Sequence, residues 1–143
     1  MAKTKPRLLI IDDDEVNNFI LLRLIREEKI NVSCAAVSNG KRGLKRLQNL
    51  HDKKDNGFPD VILLDLDMPG MDGFEFLDEY EKELYPHHPE VQLYMVSSSI
   101  RTEDRTRAKS YASVSNFISK PISVMAIKQF VAQSNFVKTS NRL

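Results

Sequence analysis

Four short apolar runs in this chain each lead into residues that carry charge or a hydroxyl. The run 8–11 ends at Asp12, Asp13 and Asp14, and the run 61–64 ends at Asp65. The mixed run 91–96 ends at Ser97, and the short run 117–118 leads past Ser119 to Lys120 and Pro121. Apolar runs of this length suit strands buried on both faces of a parallel sheet. Parallel strands would gather all four ends at one carboxyl edge, where open α/β sheets bind their ligands. Three carboxylates, a hydroxyl and an ammonium at that edge point to a cation-dependent phosphoryl site.

The segments between these runs read as helices and loops. Residues 15–28 place Val16, Phe19, Ile20, Leu24 and Ile25 at helix spacing, and 32–37 reads as a further strand. Asn39 can cap a helix that carries Leu44, Leu47 and Leu50 along one face. The stretch 52–59, with Asn56, Gly57 and Pro59, and the stretch 66–71, around Pro69-Gly70, are loops. Asp72-Gly73-Phe74-Glu75 has capping-box spacing and opens a helix to about Leu84, which Pro86 and Pro89 prevent from continuing. A charged helix is expected over 102–111. Ser123 starts a last helix with Ile127, Phe130, Val131 and Val137 on one side. This alternation is (βα)5, an α/β unit with a doubly wound, mostly parallel five-stranded sheet and helices on both faces. It is expected to run over residues 7–137, between short polar tails at 1–6 and 138–143.

Composition narrows the class further. With 143 residues and 41% hydrophobic content, one domain can bury a core without disulfides or a structural metal. The net charge is +1, with acids and bases mixed, so no field favours direct contact with nucleic acid or an anionic membrane. Cys34, among Val32, Ala35, Ala36 and Val37, reads as a small buried hydrophobe, and one cysteine builds no disulfide framework. No apolar stretch approaches a membrane span, and the opening Met-Ala-Lys-Thr-Lys-Pro lacks a hydrophobic signal core. A cytoplasmic location without membrane insertion is expected.

Taken together, Ile10-Ile11-Asp12-Asp13-Asp14-Glu15, Leu63 through Gly73 (LLDLDMPGMDG), Val96-Ser97 and Ser119-Lys120-Pro121 resemble the receiver domain of two-component response regulators. Four motifs in the family's order make this a specific resemblance, and it covers nearly the whole chain. It implies a flavodoxin-like strand order of 2-1-3-4-5. It makes Asp65 the acceptor of a phosphoryl group from a sensor histidine kinase, a histidine phosphotransfer protein or a small acyl phosphate. Mg²⁺ is the implied cofactor, held by Asp13 and Asp65 directly, by Asp12 directly or through water, and by the backbone carbonyl of Asp67. Asp14 and Glu15 are read as an ordinary helix start.

The resemblance also assigns the switch. Lys120 pairs with the acceptor and then with the phosphoryl group, and the Lys120–Pro121 bond is cis. Ser97 donates its hydroxyl to the phosphoryl group while Phe117 rotates into the space it leaves. The helix 102–111, the last strand and the last helix then present a changed face to a downstream protein. Arg101, Arg105, Arg107 and Lys109 make part of that first helix basic, and a solvated face is the plainer reading. No output domain is expected, nor enzymatic turnover of an outside substrate, although self-catalysed phosphorylation from small donors and autodephosphorylation are allowed.

Three features depart from the family pattern or draw attention elsewhere. Ser113 and Val114 stand where a Gly-Ala pair is usual, so that turn is expected to be built differently. The stretch 85–90 is longer than usual, and its His87-His88 pair reads as polar loop because no second ligand pair lies at zinc spacing. Asp67 and Ser99 occupy positions that tune phosphoryl hydrolysis in the family. Rival readings are weaker. A phosphohydrolase of the haloacid dehalogenase type would need its DxD after the first strand and a cap domain. A flavodoxin-like carrier would want hydroxyls and amides, not three aspartates, at its phosphate loop. A degenerate receiver would not keep the Asp/Ser/Lys set.

Overall fold

The structure, a computed structural model, describes residues 5–54, 57–99, 101–134 and 136. Its strands are β1 (Arg7–Ile11), β2 (Ser33–Val37), β3 (Val61–Asp65), β4 (Gln92–Ser97) and β5 (Val114–Ser119). They alternate with helices α1 (Glu15–Glu27), α2 (Gly40–Lys53), α3 (Gly73–Glu83), α4 (Thr102–Lys109) and α5 (Val124–Ala132). All pairings are parallel, in the order β2-β1-β3-β4-β5, so the expected flavodoxin-like order is the observed one. The tail 138–143, Val137 and Asn56 lie outside the described residues.

Period-two alternation along the central strands divides the apolar residues between two cores. Leu9, Ile11, Ile62, Leu64, Leu93 and Met95 face one side, where Leu47 of α2 and Phe74, Phe76 and Leu77 of α3 cover them. Leu8, Ile10, Val61, Leu63, Tyr94 and Val96 face the other, under Leu21 and Ile25 of α1 and Ile127 and Val131 of α5. Each fully buried Leu or Ile stabilises the fold by about 1.5–3 kcal/mol, so the paired layers hold the sheet between them. The chain leaves β1 to cover one face and leaves β3 to cover the other. That divergence opens the crevice at the carboxyl ends of β1 and β3.

The helix starts follow the expected local chemistry. Asn39 accepts the Arg42 N–H at 2.8 Å, Ser123 accepts the Ala126 N–H at 3.0 Å, and Asp72 and Glu75 form a complete capping box. The Ser113 turn is closed without a left-handed residue. Among the described residues the non-glycine left-handed positions are Lys29 and Lys54, so no such residue ends α4, and the Ser113 N–H donates to Glu81 at 2.7 Å instead.

Four expectations need correction. The buried residues of α1 are Asn18, Leu21 and Ile25, whereas Val16, Phe19 and Ile20 point outward at 71%, 63% and 47% exposure. Helix spacing alone cannot choose between two apolar stripes on one helix. β5 is longer than 117–118 because an edge strand tolerates polar residues such as Ser115 and Asn116, and an irregularity opposite Leu93/Tyr94 accommodates them. α4 stops at Lys109, and Tyr111 turns back to donate to Asp78 at 2.7 Å. The stretch 85–90 begins with a 3-10 turn at Tyr85–His87, so it is more ordered than a plain loop.

Gly73 ties this fold to the crevice. A Cβ there would lie 2.9 Å from the Asp65 carbonyl oxygen and 2.9 Å from the Leu66 Cα, both backbone atoms with little room to move. The start of α3 therefore rests directly on the chain that leaves β3. Gly73→Ala is expected to lower stability by about 1–3 kcal/mol in denaturant titrations, the usual cost of overpacking. An unchanged midpoint would show that the contact is looser than its geometry indicates.

Candidate acidic phosphoryl-accepting site

The crevice is built from strand ends whose backbones are already fixed. Asp12 follows β1, and its N–H donates to the Val37 carbonyl at 3.1 Å. Its carbonyl accepts from the Asn18 side-chain amide at 2.8 Å. One carboxylate oxygen of Asp12 accepts the Asp14 N–H at 2.9 Å. The other lies 3.1 Å from the Lys120 ammonium. Asp14 turns away to cap α1, accepting the Asn17 N–H at 2.9 Å, which is the ordinary helix-start role expected of it.

Asp65, the last residue of β3, is 2% exposed, and its Oδ1 lies 3.1 Å from the same ammonium. Oδ1 also accepts the Asp67 N–H at 3.2 Å. Lys120 is held by its own N–H, which donates to the Ser97 carbonyl at 2.9 Å, and the following Lys120–Pro121 bond is cis. Asp12, Asp13 and Asp65 offer carboxylate oxygens within 4.8 Å of one another, enough to hold a metal ion.

The structure thus brings together Asp12, Asp13, Asp65 and Lys120, residues separated by up to 108 positions. Ser97 is placed beside them but points elsewhere: its hydroxyl donates to Asp67 Oδ2 at 2.9 Å and accepts the Ser99 N–H at 2.9 Å. Phe117 is buried in the α2–α3 core, with the Arg105 guanidinium 5.2 Å from its ring centre. The ring to which the resemblance assigns the switch is thus part of the core.

Electrostatics follow from the crowding. Burial and then the Asp12 charge raise the Asp65 pKa to about 7, against the opposing pull of Lys120. Burial works to lower the Lys120 pKa, but Asp65 and Asp12 together outweigh it and the ammonium is held charged. Asp65 Oδ2 is buried without a hydrogen-bond partner. An orphaned anionic oxygen is costly in a protein interior unless a cation or donor reaches it. Three carboxylates, one with an unsatisfied buried oxygen, fit a hard divalent ion that keeps some of its waters.

Sequence reasoning missed Asn18 here. It is a buried polar residue on the core face of α1, and the signal was an amide placed four residues after the Asp14 cap.

Fold and pocket together define a doubly wound α/β protein with a cation-competent acidic crevice at its switch point. The sequence model of the response regulator receiver domain matches residues 8–132, and the chain belongs to that family. It is 32% identical over 116 residues to the sensor histidine kinase CheAY of Helicobacter pylori, covering 81% of this chain and 13% of that protein. It is 28% identical over 133 residues to a protein-glutamate methylesterase/protein-glutamine glutaminase of Symbiobacterium thermophilum, covering 92% of this chain and 33% of that protein. The chain therefore spans a third or less of these two relatives. Among solved structures it is similar to a two-component response regulator from Cytophaga hutchinsonii, with 26% identity, a TM-score of 0.79 and coverage of 97% and 99% of the two chains. Among the described residues, no helix is long and apolar enough to cross a membrane.

A carboxyl whose pKa rises on folding holds its proton more tightly in the folded state. It therefore favours folding at low pH, and that advantage is lost as pH rises through about 7. With divalent ions removed by chelator, Asp65→Asn should raise the thermal midpoint above wild type by more at pH 8 than at pH 5. Equal shifts at both pH values in circular-dichroism melts would contradict the raised pKa.

Proposed function

We propose that this protein is a phosphorylatable switch in which Asp65 accepts a phosphoryl group from a phosphohistidine donor. The observation that carries this reading is the Lys120 ammonium, 3.1 Å from both Asp12 and Asp65 within a pocket of three carboxylates. An Asp65 oxygen attacks the donor phosphorus; the new O–P bond forms as the donor N–P bond breaks, and the departing imidazole takes up a proton. Asp12, Asp13, Asp65 and the Asp67 carbonyl would hold Mg²⁺. When bound, that ion neutralises charge shared by the two anionic reactants. Lys120 supplies the protein's own positive charge to a phosphoryl oxygen and keeps Asp65 oriented. The protein acts as an acceptor rather than on an outside substrate.

Output passes through the β4–α4 connection. The new phosphoryl oxygens compete with Asp67 for the Ser97 hydroxyl, and Ser97 is bonded to the Ser99 N–H. The Ser99 hydroxyl donates to Asp104 at 2.8 Å and accepts the Arg101 N–H at 3.1 Å. Moving Ser97 therefore strains the start of α4, and α4, β5 and α5 form the face offered to a downstream protein. Phe117, already buried, responds by repacking rather than by swinging in from solvent.

The donor protein docks beside the pocket. α1 and α5 both begin at its rim, and they expose Val16, Phe19 and Ile20 on one helix and Met125 on the other. Exposed apolar side chains on the two helices that start at this rim favour a protein partner.

Acetyl phosphate or beryllofluoride with Mg²⁺ is expected to give an adduct on the wild type, seen by intact mass or by NMR shifts at Ser97 and Phe117. Asp65→Asn should abolish it, and labelling that persists in that variant sinks the proposal. Phe19→Ala should slow transfer from a phosphohistidine protein about tenfold, the effect of losing an interface anchor worth ~1.4 kcal/mol, while labelling by acetyl phosphate is unchanged. Equal slowing with both donors would place Phe19 in the chemistry rather than in docking.

A further inference from the structure

All three histidines of the chain meet at the edge of the sheet opposite the acidic pocket. His51 stands in the last turn of α2, shortly before β3, and His87 and His88 precede β4. The Nδ1 of His51 and the Nε2 of His88 are 2.9 Å apart. The His87 ring centre lies 4.8 Å from that of His51. Sequence spacing hid this arrangement, because His51 and His88 are 37 residues apart and belong to no motif.

The pair is held in place by its surroundings. His88 stacks flat on Phe58, with ring centres 3.6 Å apart and planes within 3°. The His87 and His88 N–H groups donate to the Leu84 and Tyr85 carbonyls, each at 3.0 Å, in a turn that contains Pro86 and is followed by Pro89. On the far side of the His88 ring, its Nδ1 lies 4.0 Å from the Glu90 carboxylate. A carboxylate on that side favours the tautomer with hydrogen on Nδ1, so that Nε2 carries the lone pair that accepts a proton from His51 or, after a small rotation of the rings, an ion. A carboxylate behind an imidazole is the usual support for a metal-bound histidine, the ion lying beyond the other ring nitrogen. The carboxyl end of α2 adds a favourable field for a cation.

We propose that His51 and His88 form a second metal site, for a tetragonal transition-metal ion such as copper(II) or nickel(II). Metal–nitrogen bonds of about 2.0–2.1 Å spanning a 2.9 Å separation meet at about 90°. That is the angle between neighbouring ligands in square-planar or tetragonal sites of these ions, and is tighter than a tetrahedral zinc site prefers. His87, exposed and alongside, supplies a third nitrogen by side-chain rotation, and waters complete the shell. Among the described residues, three or more ligand atoms are already gathered only at Asp12, Asp13 and Asp65. The histidine site is thus two-point until an ion draws in the third. The two sites select different ions, hard oxygens favouring Mg²⁺ or Mn²⁺ and imidazoles favouring copper or nickel. An ion at the histidines pins the end of α2 to the segment entering β4.

The test uses the full chain in buffer containing excess Mg²⁺. Nickel(II) titration by calorimetry is expected to give a stoichiometry of about one, and copper(II) electron paramagnetic resonance should show coupling to imidazole nitrogen. His51→Gln and His88→Gln should each weaken nickel binding at least tenfold and remove nitrogen coupling, with ion-free circular-dichroism melts confirming that each variant folds. Glu90→Gln should weaken it about tenfold through the second partner of His88. Asp65→Asn should leave it unchanged. Nickel binding that survives both histidine substitutions, or that is lost in Asp65→Asn, overturns the proposal. Absence of nitrogen coupling in the wild type does so too, leaving a shared proton as the sole link between His51 and His88.

Discussion

The candidate site depends on one ammonium placed between two buried carboxylates. Within 4.8 Å, like charges repel by about 3.5 kcal/mol at an effective dielectric near 20, so Asp12, Asp13 and Asp65 cannot be gathered without compensation. Lys120 supplies one positive charge at 3.1 Å from each of two of them. Three carboxylates against one ammonium leave two negative charges, which is the charge of a divalent ion. Burial and then the Asp12 charge raise the Asp65 pKa, and its Oδ2 stays buried without a hydrogen-bond partner. A pocket left incomplete in this way is matched to an incoming divalent cation.

The rest of the fold keeps these groups close together. β1 and β3 are adjacent, parallel and buried on both faces, so Asp12 and Asp65 leave the sheet side by side. Gly73 lets α3 sit directly on the chain leaving β3, and Asn18 holds the backbone of Asp12. Each restraint is a packing or hydrogen-bond contact made by a residue that takes no part in phosphoryl chemistry. Preorganisation of this kind holds the carboxylates in place without a need to rearrange when a ligand enters. The arm that carries Ser97 and Ser99 is held instead by side-chain hydroxyls, which bond to Asp67 and Asp104.

The two ends of the sheet have different chemistry. The carboxyl edge gathers hard oxygen donors and an ammonium; the opposite edge gathers three imidazoles, an aromatic stack and a carboxylate. Five-residue strands separate them by about 17 Å, so their charges are largely screened from one another in physiological salt. Any communication between them would have to pass through packing along β3 and β4.

Strand positions, helix caps and the residues at the strand ends were legible in the sequence because they follow from local rules. An apolar run followed by Asp65, or an Asp72–Glu75 capping box, has the same meaning whatever packs around it. The family motifs then supplied the strand order and drew Asp12, Asp13, Asp65 and Lys120 into one site. Tertiary structure alone decided which stripe of α1 faces inward, so that Asn18 is buried and Phe19 is exposed. It also decided that Ser97 bonds to Asp67, that Phe117 is already within the core, and that His51 meets His88. These outcomes depend on distances between segments remote in the chain, and periodicity and spacing carry no information about such distances.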